Sequence, residues 1–359
     1  MRKLSIILCI ALMLSCSACG TRDLITYHYN EDQKPRQYAF DAFDTQCSIS
    51  FWGVDVDDKA EDYYYSMKTL IENYDKAFSK TNEESEIYAV NHRTTDTVVV
   101  SVEVAELFRL AKDFYEWSNK KFDVSAGTLI NLWDVKNRTT LPKESEIEEA
   151  KKHVANFDYE ILPSDDGDEE KVKLVFHGDR QTQYDFGALV KGYCSDVLRE
   201  MLSNNEDIDA AIVNLGGNVM VKGIVAGRKD GAFRVGIYKP FSDNLATFSE
   251  VIDVKNRCVI TSGNYQRYFK VAGDDRVYHH IIDPITGYPT NNGLDSVTIV
   301  SENGLLGDYL STTCMLLGED ASKELIDFAS KSFGDKNIQA IYIRSDGTVV
   351  KYPKNVVIS

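Results

Sequence analysis

The sequence predicts an α+β fold built on mixed or antiparallel sheets with packed helices. Three observations carry this. Helix-period stretches and short strand-like runs interleave without the steady strand–helix–strand rhythm of a doubly wound sheet. Turn signals at Gly216-Gly217 and Asp346-Gly347 sit between β-forming runs, as in hairpins. With 359 residues, 43% of them hydrophobic, the chain can bury a substantial core.

The elements follow in order. Arg2 and Lys3 precede an apolar run over 4–14, the pattern of a secretory signal and too short to span a bilayer comfortably. Ser17-Ala18-Cys19-Gly20 resembles a bacterial lipobox, with Cys19 as the acylated residue and Cys16 as the rival site. Residues 1–19 are therefore expected to be a lipoprotein signal. The polar stretch 20–37 is expected to be a tether, and 38–359 the globular domain. This places the domain outside the cytoplasm, anchored to the bacterial cell membrane by lipid.

Residues 38–52 read as a β-rich run with Phe43, Asp44 and Thr45 in its middle. Helices are expected over 57–80, 85–91 (with Ser85 as cap), 102–117 and 142–153. The acidic stretch 164–170 is a turn between strands. A helix over 185–202 enters through Phe186, Gly187 and Ala188. Strands are expected over 210–215, 218–225, 233–238, 248–254, 258–261 and 296–300. Helices over 305–317 and 321–331 then lead to a final hairpin over 340–352.

Composition narrows the partners. A formal charge of −16, with no basic run, excludes a nucleic-acid footprint and disfavours passive binding to anionic lipid. Of the seven cysteines, those at 47, 194, 258 and 314 lie far apart, with neither C-x-x-C nor metal-ligand spacing. They read as small buried residues, with an extracytoplasmic disulfide among them as the unassigned alternative.

Chemistry concentrates in a few segments. Tyr278-His279-His280-Ile281-Ile282-Asp283-Pro284 puts two imidazoles and a carboxylate at a strand exit, in a chain with six histidines. Asp308 and Thr312, at i and i+4, project two hard oxygens from one helix face, an arrangement that suits Mg²⁺. In Asp185-Phe186-Gly187-Ala188-Leu189-Val190-Lys191-Gly192, small residues open a helix whose N–H groups attract phosphate, and Lys191 supplies a positive charge. Asn214-Leu215-Gly216-Gly217-Asn218 is a further glycine bend, and Ser262-Gly263-Asn264-Tyr265-Gln266-Arg267-Tyr268 a small-residue turn that ends in aromatics; either can be read as turn chemistry alone.

Taken together and in order, with Phe43-Asp44-Thr45, Phe78 to Asn91 and Phe122-Asp123-Val124-Ser125-Ala126-Gly127, these segments resemble the ApbE family of FAD:protein FMN transferases. The resemblance covers about residues 38–352. It implies a T-fold-like α+β body, FAD in a cleft and Mg²⁺ on its pyrophosphate. It further implies that Asp308, Thr312 and the Ala188 carbonyl hold the metal, with Ser311 nearby. Phe43, Thr81, Lys121, Phe122, Asp123, Asp185, Lys191 and Ile282 would contact FAD. His280 would be the general base, oriented by Asp283.

The implied reaction moves FMN from FAD to a Thr or Ser hydroxyl of an acceptor flavoprotein, through a phosphoester, and releases AMP. An FAD pyrophosphatase would use the same site. A flavin-binding lipoprotein without chemistry would not need Asp308, Thr312 and His280 together.

Overall fold

The β-rich run near the start is two strands. In the computed structural model, which describes residues 35–53, 56–165, 167–225, 230–244 and 246–354, β1 (Arg36–Ala42) and β2 (Thr45–Trp52) pair antiparallel with Ala42 opposite Thr45. Phe43 and Asp44 form the turn at φ 53° and 57°, the left-handed pair that a tight hairpin needs.

The order continues α1 (Val56–Phe78), α2 (Glu86–Asn91), β3 (Thr97–Ser101), α3 (Val102–Trp117), α4 (Gly127–Trp133) and α5 (Glu144–Ala150). Next come β4 (Tyr159–Pro163), β5 (Lys171–Phe176), α6 (Val190–Ser203), β6 (Ala210–Leu215), β7 (Asn218–Gly223), β8 (Phe233–Tyr238) and β9 (Phe248–Val254). The last are β10 (Cys258–Gly263), β11 (Tyr268–Phe269), β12 (Tyr278–His279), β13 (Leu294–Ser301), α7 (Gly304–Leu317), α8 (Glu319–Phe333), β14 (Gln339–Arg344) and β15 (Val349–Tyr352).

An eight-stranded sheet runs β1-β2-β6-β7-β10-β13-β14-β15, every neighbouring pair antiparallel. Consecutive residues of its strands face opposite ways. Val213 packs with Ile49, Ile71 and Leu198 under α1 and α6, whereas Ile212 packs with Val235 and Ile252 of the β8–β9 hairpin. Helices α3, α7 and α8 share a third cluster that includes Phe108, Phe114, Tyr309, Leu310 and Ile326. Trp133, Ile147, Phe269, Tyr278 and Ile282 form a separate cluster beneath the 283–289 loop. The Trp133 indole N–H donates to the Gly287 carbonyl at 2.7 Å and ties that loop down.

Helix starts follow their side chains. Ser85 Oγ accepts the Tyr88 N–H at 3.0 Å, Ser101 Oγ the Val104 N–H at 3.3 Å, and Asn303 Oδ1 the Leu306 N–H at 2.6 Å. Each satisfies one donor that a helix N-terminus leaves open.

Three expectations need correction. The helix expected from 185 begins at Val190, because 185–189 is a turn in which Asp185 Oδ1 accepts the Gly187 N–H at 2.9 Å. Strand β3 was not anticipated: its apolar run directly adjoins α3 and lacks a turn signal of its own. Arg36 and Gln37, assigned to the tether, begin β1. The expected signal, the lipobox with Cys16 and Cys19, and the tether as far as residue 34 lie outside the described residues. Within the described residues, no helix is long and apolar enough to cross a membrane.

Candidate active site

Helices α6 and α7 cross at two glycines. A Cβ on Gly192 would lie 2.3 Å from the Gly304 carbonyl oxygen, and one on Gly304 would lie 2.5 Å from that of Gly192. Contact this close brings Asp308, in the second turn of α7, against the first turn of α6. Asp308 is 2% exposed, and its Oδ2 accepts the Gly192 N–H at 2.9 Å. In a regular helix that N–H would bond the carbonyl four residues back, at Ala188. Given to Asp308 instead, it leaves the Ala188 carbonyl without a hydrogen bond among the described residues.

Beside them, Ser262 Oγ lies 2.8 Å from Ser311 Oγ and 3.1 Å from Thr312 Oγ1. The Ser311 hydroxyl donates to the Asp308 carbonyl at 3.0 Å. The second Asp308 oxygen, the Ala188 carbonyl and the Thr312 hydroxyl are hard-oxygen donors of the kind Mg²⁺ takes alongside phosphate and water. Among the described residues, no group of three or more His, Cys, Asp or Glu is placed to hold a metal.

A cationic corner adjoins it. Lys80 Nζ pairs with Asp185 Oδ2 at 2.8 Å. Burial pushes the Asp185 carboxyl up, but Lys80, the Gly187 N–H and Arg267 outweigh it and hold it below the usual carboxylate range. Lys191, the second residue of α6, donates to the Gly187 carbonyl at 3.1 Å. Lys80 and Arg267 were not singled out from the sequence. The available signal was position: Lys80 follows the C-terminus of α1, and Arg267 lies within the small-residue turn Ser262 to Tyr268.

His279 and His280 have different surroundings. His279 is 1% exposed, with Nε2 2.8 Å from the Thr290 carbonyl and Nδ1 accepting the Ile281 N–H at 3.2 Å. That bonding makes it a neutral structural residue. His280 is half-buried, with Nδ1 3.4 Å from the Arg267 carbonyl. Burial, together with His279, Arg267 and Lys191, pushes its pKa down to about 3. It is neutral at any ordinary pH, and a proton on Nδ1 leaves Nε2 as the base.

Asp283 is not placed as its orienting partner. The Asp283 carboxylate, 7% exposed, pairs with Lys121 and accepts the Ile285 N–H at 2.9 Å. It fastens the 283–287 turn to the loop after α3.

The remaining candidates divide. Phe43 sits half-buried at the β1–β2 turn. Thr81 is exposed, its N–H donating to Ser79 Oγ at 3.3 Å. Phe122 is 3% exposed and packs edge-on against Tyr309. Asp123 spends both oxygens on protein, accepting from the Ser125 N–H at 2.8 Å and the Ala155 N–H at 2.8 Å. Ile282 is 7% exposed in the cluster around Trp133. Phe122, Asp123 and Ile282 are thus bound up in packing or loop contacts. A cavity of about 440 Å³, lined by Arg276, Tyr278, Tyr288 and Asn292, includes Asp283 but none of the other candidates. The chemistry gathers instead around α6 and α7.

Hard-oxygen donors, a neutral histidine and a cationic corner on an α+β scaffold are suited to an enzyme that handles phosphate esters. The chain belongs to the ApbE family, whose sequence model matches residues 43–333. It is 32% identical over 263 residues to a Klebsiella pneumoniae protein named FAD:protein FMN transferase, covering 69% of this chain and 73% of that one. A Treponema pallidum protein of the same name is 30% identical over 289 residues, covering 76% and 77%. The crystal structure of the ApbE protein from Thermotoga maritima superposes with a TM-score of 0.71 at 27% identity, covering 89% of this chain and 97% of that chain. The flavin transferase ApbE from Vibrio cholerae gives the same TM-score, 0.71, at 22% identity, a likeness of fold.

Proposed function

We propose that this protein transfers FMN from FAD to a Thr or Ser hydroxyl of an acceptor flavoprotein, with Mg²⁺ as the metal. The observation that carries the site assignment is the diverted Gly192 N–H. It fixes Asp308 and frees the Ala188 carbonyl, so a carboxylate of α7 and a carbonyl from the turn before α6 are both available at the α6 N-terminus. Membership of the ApbE family and the similarity to proteins named FAD:protein FMN transferase support the reaction type.

Each side chain has a definable task. Lys191, at the start of α6, meets the FAD pyrophosphate, and Lys80 holds Asp185 in place beside it. Bound Mg²⁺ would supply electrostatic stabilisation of the charge that grows on the phosphate oxygens. The acceptor hydroxyl oxygen bonds to the FMN-side phosphorus, and the bond from that phosphorus to the bridging oxygen breaks. AMP departs with the bridging oxygen. The hydroxyl proton passes to His280 Nε2. The pyrophosphate's negative charge raises the His280 pKa on binding, which makes the imidazole a better base once FAD is present.

The test is to incubate the protein with FAD, Mg²⁺ and a Thr-bearing acceptor domain, then weigh the acceptor by mass spectrometry. A gain of one FMN, absent with Asp308→Ala, is the expected result. Free FMN and AMP beside an unmodified acceptor would favour hydrolysis. Intact FAD would leave binding alone.

We also propose that the chain is held outside the cytoplasm by a lipid on Cys19 or Cys16, supported by the basic start, apolar run and small residues before Cys19. Mass spectrometry of the N-terminal peptide from membranes, showing an unacylated cysteine, would refute this.

A further inference from the structure

The carboxylate of Asp196, which the proposed chemistry does not use, answers that of Asp308. Asp308 reaches from α7 to the Gly192 N–H at the start of α6. Asp196 reaches from α6 to the start of α7, accepting the Gly304 N–H on Oδ1 at 2.7 Å and the Leu305 N–H on Oδ2 at 2.8 Å. Each helix therefore donates N-terminal N–H groups to a carboxylate of the other. Arg199, one turn on, pairs with Asp196 Oδ1. The contact between Gly192 and Gly304 lies between these two sets of bonds.

Helix α7 already has a cap of its own. Asn303 Oδ1 accepts the Leu306 N–H at 2.6 Å, the usual way to satisfy a helix start. The Asp196 bonds go to two other N–H groups and cross from one helix to the next. Their particular effect is on the spacing between helices. That spacing sets the separation of the Ala188 carbonyl, before α6, from Asp308, in the second turn of α7. Residues outside a ligand set that orient the ligands govern metal affinity strongly.

We infer that Asp196 is a positioning residue that holds α7 against α6, so that Ala188 and Asp308 are spaced for a divalent cation before one arrives. The inference rests on the proposed role of Asp308 in metal binding. In Asp196→Asn, the amide can accept from one of the two N–H groups but presents N–H to the other. One bond is lost and the helix start is free to shift.

The experiment titrates Mn²⁺, followed by its electron paramagnetic resonance signal, into the full chain with FAD present and no acceptor. Wild type, Asp308→Ala, Asp196→Asn and Asn303→Ala are compared, with Tm measured for each. Asp196→Asn is expected to weaken Mn²⁺ binding by about tenfold, within the range for orienting residues around a metal. Asn303→Ala is expected to lower Tm and leave Mn²⁺ affinity unchanged. Wild-type Mn²⁺ affinity in Asp196→Asn, with Asp308→Ala impaired, would overturn the inference and leave the metal site standing. Equal affinity in wild type and Asp308→Ala would overturn both. If Asp196→Asn does not fold, Asp196→Ser keeps one short acceptor and is expected to give the same loss.

Discussion

Lys80 and Asp185, 105 residues apart, meet at 2.8 Å between their charged atoms. The pair joins the end of α1 to the turn before α6, and so connects the helix layer to the segment that carries Ala188 and Lys191. Asn91 reinforces the same segment: its side-chain amide donates to the Tyr184 carbonyl at 2.9 Å and accepts the Tyr184 N–H at 2.7 Å. Asp185 is thereby held through its side chain by Lys80 and through the preceding residue by Asn91.

Lys80→Ala should raise the KM for FAD several-fold and couple to Asp185→Asn in a double-mutant cycle by about 1 kcal/mol, the upper range for a partly exposed ion pair. Additive effects of the two substitutions would show that the pair does not act as a unit.

Asp308→Ala removes both a donor to the proposed metal and the acceptor of the Gly192 N–H. Transfer should fall by about a hundred- to a thousandfold, as when one preorganised stabilising group is lost. Stability should also fall by about 1–3 kcal/mol, because a buried N–H is left unpaired. Chemical denaturation and single-turnover transfer measure the two separately. Retained activity in a folded Asp308→Ala protein would exclude the metal assignment.

The His280 environment predicts an unusual pH profile. Burial and neighbouring positive groups lower its pKa to about 3, so the basic form persists as the medium acidifies. The acid limb of kcat/KM, which reports the free protein, should lie well below the ordinary histidine value of about 6.5. The limb of kcat should lie higher, because bound pyrophosphate favours the imidazolium. A kcat/KM limb at or above 6.5 would contradict this placement.

The same shift acts on stability. The unfolded chain takes up the His280 proton below about pH 6.5, whereas the folded chain resists until near 3. The contribution is complete above the unfolded value and fades as pH falls towards the folded one. His280→Gln should therefore lose less stability than wild type between pH 7 and 4, as read from urea midpoints.

Asp283→Asn tests which partner its carboxylate serves. It pairs with Lys121 and the Ile285 N–H, so the substitution should loosen the 283–287 turn and lower Tm while leaving the acid limb where it is. A displaced limb would restore Asp283 as a partner of His280.

Much of this protein was legible in its sequence. Helices with a clear apolar stripe, such as α3 with Leu107, Phe108, Ala111 and Phe114 on its buried side, follow from periodicity because one face must leave water. Hairpins follow from their turn residues. The order of short motifs pointed to the ApbE family because each motif marks a place where backbone and ligand chemistry restrict the choice of residue. Tertiary structure alone decided where α6 begins, that Asp283 belongs to Lys121 rather than to His280, and that Phe122, Asp123 and Ile282 are engaged in packing or loop contacts. It alone brought Lys80 to Asp185 and Asp196 to the start of α7. The physical reason is range. Periodicity and turn chemistry act within a few residues, whereas an ion pair or a shared N–H depends on which distant backbone the packed core brings within about 3 Å.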